Sequence, residues 1–192
     1  AHHGYSVLAP DLPAHGRSGG QPLSTIADMA DWIATLLDAA KAPKARLIGH
    51  SMGSLIALET AARHPARVAG LSLIGTAATM TVGPDLLKAA EANDPAAIDM
   101  VSIWGLGFKA ELGGSLAPGL WMHSGAQRVL QRCRPGVLYN DLAACNSYQN
   151  ALTAAADITA PTTIITLDRH MMPPTKAGKA LAAAVPDART VV

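Results

Sequence analysis

Ile26, Met29, Ala30, Ile33, Leu36, Leu37 and Ala40 recur at intervals of three and four, which gathers them on one stripe of a helix. Ser24 or Thr25 offers a side-chain oxygen to the first free amides of that helix, and Pro43 ends it. On either side the pattern changes. The stretch from Tyr5 to Pro10 is short and mostly apolar with no helical spacing, and it predicts a strand. Residues 45–50 predict another, and residues 52–64, rich in good helix formers, predict a helix that Pro65 stops. Val68 to Ile74 is continuously apolar rather than alternating, as in a parallel sheet covered on both faces. Strand, helix, strand, helix, strand in this order predicts a doubly wound α/β sheet.

Residues 77–156 break the rhythm with glycine-rich loops such as Gly113-Gly114 and helical pieces around 85–103, 124–133 and 139–156. An insertion of this size between two strands predicts a helical cap over the strand ends. Trp104, Phe108, Leu116, Leu120, Trp121 and Met122 give it bulky apolar surface, which suits the cap's own core and the lining of an acyl pocket equally; Trp104, Trp121 and Met122 are the pocket candidates. The sheet pattern then resumes: a β-branched strand at 162–167, a loop from Asp168 to Pro174, an alanine-rich helix at 175–185 and a last strand from 188. The organisation is a first core part at 1–76, a cap at 77–156 and a second core part at 157–192.

Composition narrows the classes of function. Of 192 residues 49% are hydrophobic and 15% charged, and the net charge is +1, so one ordinary core is affordable and nothing favours nucleic acid or an anionic membrane surface. The apolar runs are too short or too broken to span a bilayer. Cys133 and Cys145 are expected as free thiols and the location as cytoplasmic. A leader on a longer parent stays open, because Ala1-His2-His3-Gly4 runs directly into the first strand. Histidines do not cluster with cysteines or carboxylates at metal-ligand spacing, so neither a metal nor a cofactor is expected.

The chemistry concentrates in Gly49-His50-Ser51-Met52-Gly53, at the junction of a predicted strand and a predicted helix. Gly-x-Ser-x-Gly arises by chance in roughly one chain in fifteen of this length; its placement makes it a nucleophile elbow. A turn this sharp strains the serine backbone, and side chains two residues to either side would collide with the joined elements, so Gly49 and Gly53 are expected to be sterically required. The turn lifts the Ser51 hydroxyl clear of the sheet and aims the Met52 amide at the place where an oxyanion would form. His50 lies inside the motif, but neighbours at a sharp turn point apart, which favours a structural or pocket-lining role over that of general base.

Three stretches together resemble the α/β-hydrolase fold superfamily, in particular its capped esterase, lipase and peroxidase-like members: Asp11-Leu12-Pro13-Ala14-His15-Gly16-Arg17-Ser18, the elbow at 49–53, and the strand, loop and helix from 162 to 185. The resemblance implies a triad in the chain order Ser, Asp or Glu, His, with the acid in the loop after the strand that follows the cap. There the pattern usually reads Gly-x-x-Asp-x-Met-x-Pro. Matching Met172 and Pro174 puts His170 in the acid's place and Leu167 in the glycine's, with Asp168 two positions early. Either Asp168 reaches the base after a shift of the loop, or the acid has been lost. For His15 and Gly16 a fixed loop at the rim of the site is expected.

The resemblance also implies a histidine after the final strand and three strands ahead of residue 1. The expectation is therefore an internal fragment of a longer hydrolase that lacks the N-terminal strands and the C-terminal histidine loop, poorly stable and inactive alone. The implied function of the parent is hydrolysis of small or medium apolar carboxylic esters through an acyl-enzyme on Ser51, without cofactor. Perhydrolase or acyl-transfer chemistry on the same residues is one alternative, and a catalytically dead homologue binding a small apolar ligand is another. Haloalkane dehalogenase is disfavoured, because its nucleophile is Asp and position 51 is Ser.

Overall fold

The computed structural model describes residues 2–106, 112, 113, 115, 117, 119–166 and 175–191. Its elements run α1 (Ile26–Ala39), β1 (Ala45–His50), α2 (Met52–Arg63), β2 (Val68–Ile74), α3 (Pro84–Glu91), α4 (Pro95–Gly105), α5 (Met122–Leu130), α6 (Val137–Ser147), α7 (Ala151–Ala156), β3 (Thr162–Ile165), α8 (Thr175–Ala184) and β4 (Arg189–Val191). The four strands form one sheet in the order β1-β2-β3-β4, every neighbouring pair parallel. Parallel neighbours need crossover connections, and α2, the helices between β2 and β3, and α8 supply them. This is the α/β arrangement that the spacing predicts.

Local signals act where expected at α1. The Thr25 oxygen accepts from Asp28 N–H at 3.0 Å while its hydroxyl donates to the Asp28 carboxylate at 2.7 Å, a reciprocal cap, and Ile26, Met29, Ala30, Ala34 and Leu37 form the buried stripe. Helix α2 differs, because every residue from Ser54 to Ala61 is buried. It is wedged between α1, α6 and α7 on one side and β1 and β2 on the other, so the junction ahead of it has little freedom to shift.

Three expectations are corrected. Tyr5 to Pro10 forms no strand; Tyr5, Val7 and Leu8 are 62%, 79% and 58% exposed. A strand exists only through its ladder, and this stretch pairs with none of the four strands; β1, at one sheet edge, leaves Ile48 74% exposed. The predicted helix at 85–103 is two, because Asn93 takes φ 53° and Asp94, ahead of Pro95, is held extended and caps α4 through Ala96 N–H at 2.9 Å. The piece at 139–156 is likewise two, parted at Tyr148, which turns to ψ 115°.

The main core lies between the sheet and α2, α7 and α8, around Leu58, Leu73, Ile164 and Leu181. Although α7 lies within the insertion by sequence, it contributes Ala151, Ala154 and Ala155 to this core. A second cluster joins α1 and α2 to α6 through Ile26, Met29, Leu55, Ile56, Ala144 and Cys145. A third, around Leu86, Ala90 and Ala97, lies within α3 and α4.

Candidate active site

The candidate site begins where β1 becomes α2. Ser51 takes φ 51°, ψ −122°, which an L side chain adopts only under constraint. The constraint comes from both directions. Ser51 N–H donates to Ile74 O at 3.0 Å, which ties the turn to the end of β2, and Ser51 O accepts from Ser54 N–H at 2.8 Å and from the Ser54 hydroxyl at 2.6 Å, which starts the helix. A serine at the residue before a helix ordinarily spends its hydroxyl capping the first amides. Ser51 makes no such bond, and the half-buried side chain keeps its hydroxyl for other use.

Gly49 and Gly53 divide unequally. A Cβ on Gly49 would stand 2.1 Å from Gly53 O and 2.7 Å from Ser54 N, against backbone that cannot rotate away. Among the described residues, and outside the backbone of its own helix, a Cβ on Gly53 meets nothing within 4 Å. The expectation that both glycines are sterically required is thus corrected: strand and helix approach closely at Gly49, whereas the outer side of the first turn at Gly53 is open. Met52 N–H and Gly53 N–H, as the first amides of α2, have no carbonyl within their own helix to bond and carry the positive end of its dipole. His50 ends β1 opposite Ile74 and is exposed.

Buried polar groups fix the frame behind the turn. Glu59, 4% exposed in the middle of α2, accepts from Tyr148 O–H at 2.5 Å and from Asn150 Nδ2 at 3.2 Å, with Arg63 at 3.9 Å. Burial, then the Glu59 carboxylate, pushes the Tyr148 phenol well above its ordinary value, so it remains a donor throughout the working range of pH. At the far end of α2 the exposed Asp31 carboxylate accepts from Arg63 at 2.7 and 2.9 Å and pairs with His64 at 2.7 Å, which holds it down at about 2.

The loop from Asp11 to Ser18 closes on itself. Asp11 accepts from Arg17 N–H at 3.0 Å on its carboxylate and from the Ser18 hydroxyl at 2.7 Å on its carbonyl; at Gly16 the φ of 47° favours glycine, and a Cβ there would lie 2.4 Å from that carboxylate and displace it. His15 Nδ1 faces Pro13 O at 3.0 Å, and Nε2 faces the Asp141 carboxylate on α6 at 2.6 Å. The ring is therefore a structural tie, as the loop reading expects.

Turn, parallel sheet and helices agree with a match of residues 1–117 to the family model described as alpha/beta hydrolase fold. The chain belongs to the α/β-hydrolase fold family. Among relatives of this chain is a protein of Mycobacterium phage D29 named "Putative non-heme haloperoxidase", 44% identical over 79 residues, covering 41% of this chain and 28% of the relative. A pimeloyl-[acyl-carrier protein] methyl ester esterase of Neisseria meningitidis serogroup B is 34% identical over 153 residues, covering 80% of this chain and 55% of that enzyme. The alignments thus span about half, or less, of the length of these relatives. Among solved structures, the enol-lactonase from Burkholderia xenovorans LB400 superposes with a TM-score of 0.82 over 94% of this chain and 69% of that one, at 22% identity, a likeness of fold.

The other candidate residues scatter. Trp104 packs against the cluster within α3 and α4. Trp121 is 58% exposed and stacks on His123 with ring centroids 6.2 Å apart, and Met122 beside it is also exposed. A cavity of about 630 Å³ opens between the loop after residue 13 and α6, lined by Gly20, Pro22, Arg134, Tyr139 and Asn140 among others; neither Ser51 nor any of these three side chains borders it. Asp168 and His170, with Phe108 and Leu116, lie outside the described residues. Cys133 and Cys145 are free, and burial pushes the Cys145 thiol up to about 12. Among the described residues no group of His, Cys, Asp and Glu is placed to hold a metal, and no helix is long and apolar enough to cross a membrane. Sequence reasoning missed Asp141 and Glu59: each is one acidic residue whose partner stands 126 or 89 positions away.

Proposed function

We propose that Ser51 is the nucleophile of a serine hydrolase acting on carboxylic esters of small or medium apolar substrates. The observation that carries the reading is the Ser51 backbone, held at φ 51° with a hydroxyl that does not cap the helix it precedes. A base withdraws the Ser51 proton as Oγ bonds to the ester carbonyl carbon, and the oxygen takes up negative charge beside Met52 N–H. The carbonyl re-forms, the alcohol leaves with the proton, and water releases the acid from the acyl-enzyme by the same steps. The base is an imidazole oriented by the Asp168 carboxylate; His170 is the alternative occupant of the acid position. His15 does not serve as this base, because both ring nitrogens already face acceptors.

The helices between β2 and β3 act as a cap, with Trp104, Trp121 and Met122 as its candidate substrate-facing side chains. The ester chemistry in the name of the Neisseria relative supports this reading. Fluorophosphonate labelling of the protein made from the whole reading frame, followed by peptide mapping, tests it. The adduct is expected on Ser51 and absent from Ser51→Ala; equal labelling of that variant refutes the assignment. The name of the phage relative favours one second reading, perhydrolysis, in which hydrogen peroxide replaces water as the acyl acceptor. Peracid formation exceeding hydrolysis at equal acceptor activity would select it.

A further inference from the structure

The seam between the loop at residues 11–24 and the helices that follow β2 is crossed by three polar side chains from one short stretch. Arg134 donates to Ser18 O at 3.2 Å and to Gly20 O at 3.4 Å, Asn140 donates through Nδ2 to Leu23 O at 2.7 Å, and Asp141 meets His15 at 2.6 Å. The cavity of about 630 Å³ opens along the same seam, beside the apolar contact of Leu12 and Leu23 with the cluster that holds Ala144 and Cys145, so the polar contacts supplement that packing. Of the three, arginine stays charged and asparagine neutral at any working pH; the third, Asp141, pairs with an imidazole.

The surroundings of that imidazole decide its state. Pro13 O can only accept, and so can the Asp141 carboxylate, so both ring nitrogens must carry hydrogen for both contacts to be hydrogen bonds. Only the imidazolium does this. A neutral ring holds one proton and must give up either the carbonyl in its own loop, which sets its orientation, or the carboxylate on α6. We propose that the proton on His15 fastens α6 to the loop at residues 11–20, so that the inserted helices are clamped to the sheet domain while this ring is charged and loosened when it is not.

The other charged and titratable groups facing the pair do not reverse the effect. Asp11, in the same loop, adds a second negative charge favouring the imidazolium, and Arg17 beside it donates its backbone N–H to Asp11. Across the seam, Arg134 is engaged with Ser18 and Gly20, Asn140 donates to Asp141 Oδ1 at 3.2 Å, and Tyr139 lines the cavity. The thiols of Cys133 and Cys145 are pushed up by burial and then by the Asp141 charge, which keeps them neutral across the relevant range. The Asp141 hydrogen bond, opposed by burial and aided by Pro13, raises the His15 pKa above 6.5. A raised folded value means that the clamp is fully present below 6.5 and is lost as pH climbs through the raised value.

Titration of the His15 ring by NMR in the whole chain, with amide exchange of α6 from pH 5.5 to 9 corrected for the intrinsic rate, tests this. The His15 midpoint is expected above 6.5, and exchange across residues 137–147 should rise on the order of tenfold through that midpoint, the weight of one charge-assisted hydrogen bond. In Asp141→Asn the midpoint should fall back toward the ordinary value and the exchange step should vanish; His15→Gln should abolish the step as well. A wild-type midpoint at or below 6.5, flat corrected exchange in α6, or a step that survives in His15→Gln would overturn the proposal. The wild-type measurements decide even if a variant fails to fold.

Discussion

Replacing Gly49 by alanine inserts one methyl group where the end of β1 meets the first turn of α2. The new Cβ would lie 2.1 Å from Gly53 O, 2.4 Å from Gly53 C and 2.7 Å from Ser54 N, distances that real Cβ atoms do not show. All three are backbone atoms of a helix buried on every side from Ser54 to Ala61, so strand and helix would have to part by about 1 Å through a packed core. Overpacking of this kind costs about 3 kcal/mol, the upper end of its usual range, because no side chain can give way. For a chain of this length that is a fall in Tm of about 6–12 °C. Gly53→Ala supplies the control within the same motif: its Cβ enters open space, and alanine is the better helix former by about 1 kcal/mol, so stability should hold or rise. Urea and thermal unfolding followed by circular dichroism measure both. A Gly49→Ala cost below about 1 kcal/mol, or an equal loss in Gly53→Ala, would refute this account of the turn.

Three further perturbations probe the frame around it. Tyr148→Phe leaves the buried Glu59 carboxylate with Asn150 and a distant Arg63 and should cost about 1–3 kcal/mol in urea unfolding, while Glu59→Gln, which leaves a neutral acceptor for the phenol, should cost less. The Asp31 carboxyl, held near 2 by Arg63 and then His64, adds stability that is present above its ordinary 3.8 and lost as pH falls toward 2. Because the pair is well exposed the amount is at most about 1 kcal/mol, and the acid limb of a stability profile should flatten by that much in Asp31→Asn. Cys145, with its thiol near 12, should resist iodoacetamide at pH 8 in the folded chain and react on unfolding; rapid native alkylation mapped to Cys145 would contradict its burial.

The parts of the fold visible in the sequence were those decided locally. The three-four spacing of α1, the continuous apolar run of β2 and the strand-to-helix junction at Ser51 each depend on residues within one turn or one strand, and each element forms where it is read, with Ala34 rather than Ala40 completing the buried stripe of α1. Tyr5 to Pro10 has the composition of a strand, but a strand is completed by a neighbour, and composition does not name one. The breaks at Asn93 and Tyr148 follow from backbone geometry that the helix-forming residues around them mask. The steric role of Gly49 was legible in kind, though its unequal division with Gly53 required the packing of α2. Glu59 reads as one charged residue on a helix and proves to be buried against Tyr148, and the pairing of His15 with Asp141 leaves no local signal. Asp168, between β3 and α8 in sequence, lies outside the described residues.

The proposed chemistry rests on the Ser51 oxygen, and an acyl-enzyme would report on it most directly. The protein made from the whole reading frame, mixed with p-nitrophenyl acetate and quenched in acid within the first turnover, should carry an acetyl group on the peptide containing Ser51, released stoichiometrically with nitrophenolate. The burst should disappear in Ser51→Ala. An undiminished burst in that variant, or acetyl found on another residue with Ser51 unmodified, would contradict the account.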